Sequence, residues 1–150
     1  MAASGTVLTL DQASRIVDEA LKRGRELGLQ PLAVAVLDSG GHLKAFKRED
    51  RASILRPQIA EGKAWSVLGM GLGGRELARR AAANPQFMGA LSDASGGRMI
   101  PVPGGVLIRS SEDEIIGAVG ISGDLSEKDE ECAVHGVRAV GLTPDTGDRT

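Results

Sequence analysis

The sequence predicts an α+β fold in which helices pack against a mainly antiparallel sheet. Two β-hairpin patterns carry this prediction. The first joins the apolar residues 32–37 to residues 42–47 through a polar, glycine-containing turn. The second joins residues 106–110 to residues 114–122 through a short polar turn. The other long segments have apolar residues at helical spacing, so they are expected to cover the sheet.

A helix is predicted close to the start of the chain. Thr9 and Gln12 have the spacing of a capping box with Thr9 as the N-cap. Apolar residues recur at helical spacing as far as Leu27, and Gly28 is a typical residue for the position just beyond a helix. We therefore expect the helix to end near Leu27.

The middle of the chain is predicted to be helical. Residues 54–70 have a helical pattern in which Pro57 fits only in the first turn. Glycines then interrupt the pattern. A shorter helix is expected over residues 75–83, followed by a helical turn over residues 86–91.

The last third is predicted to begin with a short strand over residues 99–102, ahead of the second hairpin. A final helix is expected over residues 127–140, with Ser126 as its cap. Residues 142–150 are expected to form a frayed tail. The length of 150 residues predicts a single domain.

Composition limits the partners and the setting. A net charge of −2, with two Phe, one Trp and no Tyr, does not favour a nucleic-acid partner. The single cysteine excludes an internal disulfide and a multi-cysteine zinc site, so a reducing, cytoplasmic setting without a metal site is expected. No apolar run reaches the roughly 20 residues of a membrane span, so no membrane partner is expected. The first ten residues lack the basic region of a secretory signal.

Lys63 is the most informative single residue. At 3.6 residues per turn it shares a helical sector with three apolar residues, Ile59, Val67 and Met70. A buried ammonium group is unfavourable without a partner. Lys63 therefore extends past the core, pairs with a buried carboxylate, or faces a pocket that holds an anion.

Charged residues precede and include Lys63. The cluster contains Arg48, Asp50, Arg51, Arg56 and Lys63, and it suits either a solvated loop with ordinary ion pairs or the rim of an anion-binding pocket. We favour the rim, because a solvated loop does not explain a lysine in an apolar sector.

A glycine turn adds a second anion-binding feature. In the segment 101–106, two prolines precede Gly104 and Gly105, and the glycines can expose backbone N–H groups to a carboxylate. A plain β-bulge or hairpin is the alternative for this segment.

Four segments together resemble the GlcG/HbpS-like haem-binding family, which includes the C-terminal domain of PduO-type corrinoid adenosyltransferases. The segments are AVAVLDSGGHL at 33–43, RED at 48–50 with GKA at 62–64, the glycine-containing stretch 96–106, and IGAVGISG at 116–123 with DEECA at 129–133. They span nearly the whole chain, and their joint order is more specific than any one of them.

The resemblance implies a profilin-like fold with about five antiparallel strands, and a homo-oligomer that is a dimer or larger. It implies haem or a corrinoid as ligand, and some members accompany catabolic operons for small organic acids. Haem requires an axial ligand. The residues of suitable type are His42, His135, Cys132 and four methionines. Arg51, Arg56 and Gln58 make residues 51–61 more cationic than in many members, which favours a small acidic metabolite.

Three hypotheses follow. In the first, the chain binds a tetrapyrrole or a small anionic molecule in a pocket between the central helix and the sheet. The ligand-binding residues would be Lys63, Arg51, Arg56, Asp38, Gly104 and Gly105.

In the second hypothesis, the chain is an enzyme acting on a small carboxylate, such as a tautomerase, lyase or hydrolase. Lys63 would then be the base or Schiff-base amine, with Asp50 or Asp38 as its partner. In the third, Lys63 pairs with a carboxylate such as Asp50 or Glu61 and has only a structural role.

Overall fold

Five helices and five strands follow one another in a computed structural model that describes residues 7–148. The helices are α1 (Leu10–Glu26), α2 (Arg56–Met70), α3 (Gly74–Ala83), α4 (Pro85–Ala94) and α5 (Ser126–Ala139). The strands are β1 (Ala33–Asp38), β2 (Leu43–Arg48), β3 (Gly105–Arg109), β4 (Ile115–Ser122) and β5 (Thr143–Asp145). No helix among these residues is long and apolar enough to cross a membrane.

The five strands form one sheet in the order β2-β1-β4-β3-β5, and all neighbours are antiparallel. The two predicted hairpins are β1–β2 and β3–β4. The central strands β1 and β4 pair from Ala33 opposite Ser122 to Asp38 opposite Gly117. The predicted α+β fold with about five antiparallel strands is therefore confirmed.

Helices cover both faces of the sheet. On one face, α1 and α5 pack against each other and against the sheet. This layer contains the main apolar core, which includes Ile16, Val34, Val119, Ile121 and Val137. On the other face, α2 lies across β1, β4 and β3, with α3 beside it.

The capping box of α1 is present as predicted. The Thr9 hydroxyl accepts a hydrogen bond from the Gln12 backbone N–H at 3.1 Å, and the Gln12 side chain accepts one from the Thr9 N–H at 3.0 Å. The helix α2 contains Pro57 in its first turn, also as predicted. Local sequence therefore determines where these two helices begin.

Three predictions about elements are wrong. Residues 99–102 form no strand, because the Ile100 N–H donates to the Ser66 hydroxyl on α2 at 2.7 Å. Ser126 is not a cap; α5 has Leu125 as its N-cap, without a side-chain hydrogen bond. The frayed tail expected over 142–150 contains β5 instead, while residues 149 and 150 lie outside the described part of the chain.

Candidate functional site

Lys63 is buried between α2 and the sheet, with only 4% of its surface exposed. Its Nζ donates to the Ile121 carbonyl on β4 at 2.8 Å and lies 3.4 Å from Oδ2 of Asp129 on α5. The other oxygen of Asp129 accepts the Asp124 backbone N–H at 3.0 Å. Of the three possibilities that the sequence leaves open, the structure shows a buried ion pair, and the partner is Asp129 rather than Asp50, Asp38 or Glu61.

Burial dominates the protonation of this pair. Desolvation lowers the pKa of Lys63, an effect that the Asp129 charge partly offsets. Desolvation also raises the pKa of Asp129 to about 6, against the opposing effect of Lys63. Both shifts have the same cause, because removing either charge from water outweighs their attraction.

Close packing of α2 on the sheet closes the space next to Lys63. A Cβ on Gly105 would lie 2.5 Å from the Lys63 carbonyl oxygen, and one on Gly104 would lie 3.0 Å from Nζ. A Cβ on Gly120 would overlap the Ala60 carbonyl. The glycines of the Gly104–Gly105 turn therefore allow Lys63 and the backbone of α2 to approach closely.

The other predicted site residues are dispersed. Arg56 lies near Lys63, and its Nη1 donates to the Ser122 hydroxyl at 3.0 Å. Asp50 lines a separate cavity together with Arg25 and Arg48. The next residue, Arg51, is exposed and has a left-handed backbone with φ of 72°. The structure does not place the exposed Asp50 beside the buried Lys63.

Asp38 has a local role at the hairpin turn. Its Oδ1 accepts the backbone N–H groups of Gly40 and His42, each at 3.0 Å. The same oxygen lies 3.3 Å from Nδ1 of the His42 imidazole, which is 81% exposed. This carboxylate therefore organises the turn that follows β1.

The remaining residues considered as haem ligands differ in access. Cys132 is buried in the α1–α5 core, and burial raises the pKa of its thiol to about 12. The Nε2 atom of His135 lies 3.2 Å from a Glu19 carboxylate oxygen. Met88 and Met99 are buried in an apolar cluster with Ala64 and Val67 of α2, and Met70 packs against this cluster. Met1 lies outside the described residues. Among the two histidines and Cys132, only His42 is largely open to solvent.

A groove lies on the outer side of α2, away from the sheet. It has a volume of about 670 Å³. Its walls are α2, the turn after β1 and the loop that follows α4. The lining residues are Gly41, Leu55, Pro57, Gln58, Ile59, Glu61, Gly62, Trp65, Gly97, Arg98 and Ile100. The groove combines apolar walls with a few polar groups, as small-molecule sites in proteins do.

Trp65 and Arg98 form one wall of this groove. The Arg98 guanidinium carbon lies 4.0 Å from the centroid of the indole ring. Arg98 Nε donates to the Ser95 carbonyl at 2.9 Å. A cation at this distance from an indole face is attracted by the ring quadrupole, so the two side chains hold each other in place.

Sequence reasoning did not find this groove. One signal was available, since Ile54 and Leu55 are adjacent apolar residues in an otherwise charged segment. They are 87% and 60% exposed. The contact of Trp65 with Arg98 joins α2 to a distant loop, so no local pattern predicts it.

The chain is similar to known proteins in both sequence and structure. Residues 8–138 match the family model "Haem degrading protein HbpS-like". The corrinoid adenosyltransferase PduO of Citrobacter freundii is 24% identical over 135 residues, which cover 90% of this chain and 39% of that protein. The chain thus spans about two fifths of the length of this curated relative.

Solved structures share the fold. The complex of PduOC with haem has a TM-score of 0.82 at 23% identity, covering 95% of this chain and 99% of that one. Protein ORFY of Klebsiella pneumoniae has a TM-score of 0.80 at 28% identity, with coverages of 94% and 97%. HbpS has a TM-score of 0.78 at 26% identity, with coverages of 92% and 93%.

Proposed function

Because the chain belongs to the HbpS-like family, we propose that it is a ligand-binding protein whose groove on the outer side of α2 takes haem or a related tetrapyrrole. The groove, and not the space beside Lys63, is the proposed site. The observation that carries this choice is its volume of about 670 Å³ between apolar walls. This volume lies within the range of about 300–1,000 Å³ usual for small-molecule sites.

The residues that line the groove suit a flat molecule with an apolar ring and acidic substituents. Leu55, Ile59 and Ile100 offer apolar contacts, and Trp65 offers an aromatic surface. Arg98 supplies a cation for a carboxylate. These features fit a tetrapyrrole in size, polarity and charge.

An axial ligand must come from the border of the groove. The described lining contains no His, Cys or Met. His42 directly follows Gly41, which lines the groove, and its imidazole is exposed. We therefore propose His42 as the residue that holds the iron of a bound haem, which would supply redox chemistry once bound.

An enzymatic role of Lys63 has less support. The amine is buried and already contacts both Asp129 and the Ile121 carbonyl. A substrate would have to displace packed backbone to reach it. The arrangement favours the structural role of Lys63 over its use as a base or a Schiff-base amine.

Titration with haemin tests the proposed function. We expect a saturable Soret shift that ends near one equivalent, whereas a merely additive spectrum would exclude haem as ligand.

A substitution in the groove tests the location of the site. Leu55→Glu places a charge on the groove wall and should weaken haemin binding at least about tenfold. Ile54→Glu is the matched control, because Ile54 is adjacent and exposed but does not line the groove. Equal effects of the two substitutions would contradict the proposed location.

A further inference from the structure

We infer that Arg98, held against the face of Trp65, recognises the carboxylate of a planar ligand, so that the groove selects aromatic acids over their uncharged analogues. The inference rests on the proposed function, since it concerns the same groove. It adds the ligand class and the residue that determines specificity. Four observations support it.

First, the loop that carries Arg98 is fixed to α2. The Ile100 N–H donates to the Ser66 hydroxyl at 2.7 Å, and the Ser66 hydroxyl donates to the Gly62 carbonyl at 2.7 Å. A Cβ on Gly62 would lie 2.5 Å from Ile100 Cγ1 and 3.2 Å from the Arg98 carbonyl oxygen. The loop therefore packs directly on the helix from Arg98 to Ile100.

Second, backbone lies close to both ends of the indole ring that supports Arg98. A Cβ on Gly41 would lie 3.4 Å from Trp65 Cδ1, and one on Gly69 would lie 3.4 Å from Trp65 Cζ3. The two glycines thus border opposite edges of the ring. Trp65 is half-buried, so one part of the ring is packed and another faces the groove.

Third, Arg98 is not neutralised by an acid. Among the described residues it forms no salt bridge, and its one hydrogen bond within the protein runs from Nε to the Ser95 carbonyl. Stacking on an aromatic face leaves the edge of a guanidinium group directed outward, where it can bind a carboxylate with two N–H groups. The cation is thus positioned before any ligand arrives.

Fourth, the groove contains one positive and one negative side chain, which would orient a charged ligand. Of the described residues that line it, Arg98 is the only cation and Glu61 the only acid. Glu61 and Trp65 are one helical turn apart on α2. A carboxylate is attracted by Arg98 and repelled by Glu61, so an aromatic acid has one favoured orientation, with its ring near Trp65 and its acid group at Arg98.

The single tryptophan gives a direct test. Trp65 is the only tryptophan of the chain, so an ¹H–¹⁵N spectrum contains one indole N–H signal. We would titrate wild type and the variants Arg98→Gln and Arg15→Gln with 2-naphthoate and with uncharged 2-naphthamide. Arg15→Gln is the control, because it removes an exposed arginine of α1 that does not line the groove. The backbone signals report whether each variant is folded.

We expect wild type and Arg15→Gln to bind 2-naphthoate at least about tenfold more tightly than 2-naphthamide. Arg98→Gln should lose most of that difference. A preference that survives in Arg98→Gln, or an indole signal that 2-naphthoate does not shift in wild type, would overturn the inference.

Haemin titration of the same proteins separates the inference from the proposed function. Arg98-dependent selection of 2-naphthoate without any saturable Soret shift would leave the inference standing and reject haem. A Soret shift that Leu55→Glu weakens, together with 2-naphthoate binding that does not depend on Arg98, would support haem as ligand and reject the inference.

Discussion

Lys63 and Asp129 show, at the scale of single residues, how a cation is accommodated in an apolar core. The ammonium has one neutral partner, the Ile121 carbonyl, and one negatively charged partner, the Asp129 carboxylate. Asp129 in turn accepts the Asp124 N–H at the start of α5. The pair thus links α2, β4 and α5, and removal of one member leaves the other charge buried without its counterpart.

Lys63→Met should therefore lower the free energy of unfolding by about 3–5 kcal/mol. Asp129→Asn keeps an acceptor for the Asp124 N–H but removes the negative charge, so it should also destabilise the protein. The double variant should lose less than the sum of the two single losses, because neither charge remains. Urea unfolding of the four proteins measures this coupling, and strictly additive losses would show that the two side chains do not stabilise each other.

The raised pKa of Asp129 predicts that the stability of the protein depends on pH. Its pKa is about 6 in the folded protein, against an ordinary value of 3.8. The folded protein holds the proton of Asp129 more tightly than the unfolded chain does. The protonated carboxyl group therefore adds to the free energy of unfolding, fully below about pH 4, and this contribution is lost as the pH rises through about 6.

Between pH 4 and pH 6, wild type should therefore lose about 2–3 kcal/mol relative to Asp129→Asn. Unfolding free energies of both proteins across this interval give the difference, in which the other carboxylates cancel. A difference that stays constant with pH would refute the raised pKa.

At the scale of elements, α2 lies close to the sheet. Ala33 and Ala35 of β1 cluster with Ala60 of α2, and glycines occupy the points of nearest approach. This contact buries Lys63 and directs the opposite side of α2 toward solvent, where the groove forms. The close approach of α2 thus depends on glycine on β3 and β4.

Gly120→Ala tests this packing. The added methyl would overlap the Ala60 carbonyl, which belongs to helix backbone and cannot rotate away. We expect a loss of about 1–3 kcal/mol in the free energy of unfolding. The matched control is Gly89→Ala in α4, where nothing lies within 4 Å of the new methyl. That change should stabilise the protein by about 0.5–1 kcal/mol, since alanine favours a helix over glycine. Similar losses for both variants would argue against close approach as the cause.

At the scale of the whole molecule, the C-terminal segment completes the sheet. β5 pairs with β3 from Leu107 opposite Asp145 to Arg109 opposite Thr143. Arg109 Nε lies 2.9 Å from the largely buried Asp145 carboxylate. Asp148 then pairs with two arginines of α3. The segment therefore joins the edge of the sheet to the helices on the α2 face.

A chain that ends at Gly141 should be less stable by at least about 2 kcal/mol, because it leaves Arg109 without the Asp145 carboxylate and exposes the edge of β3. A chain that ends at Asp148 retains these contacts and is the control. Thermal and urea unfolding measure both. A shortened chain as stable as the control would show that β5 contributes little.

The sequence alone predicted features that depend on neighbouring residues. Periodicity and turn chemistry located α1, α2 and both hairpins, and the Thr9–Gln12 capping box is present because its partners are three positions apart. The apolar sector around Lys63 left three environments open for this side chain, and pairing with a buried carboxylate is the one that the structure shows. The prediction of a strand over residues 99–102 is wrong because Ser66, far away in the chain, accepts the hydrogen bond from Ile100.

Only the tertiary structure decided which groups meet. Sixty-six positions separate Lys63 from Asp129, and no spacing rule selects that carboxylate over Asp50. The groove likewise depends on a loop after α4 reaching Trp65 on α2. Local patterns determine backbone conformation because they act through bonds and adjacent turns. Contacts between distant residues depend on how closely whole elements pack, which here is determined by glycines between α2 and the sheet.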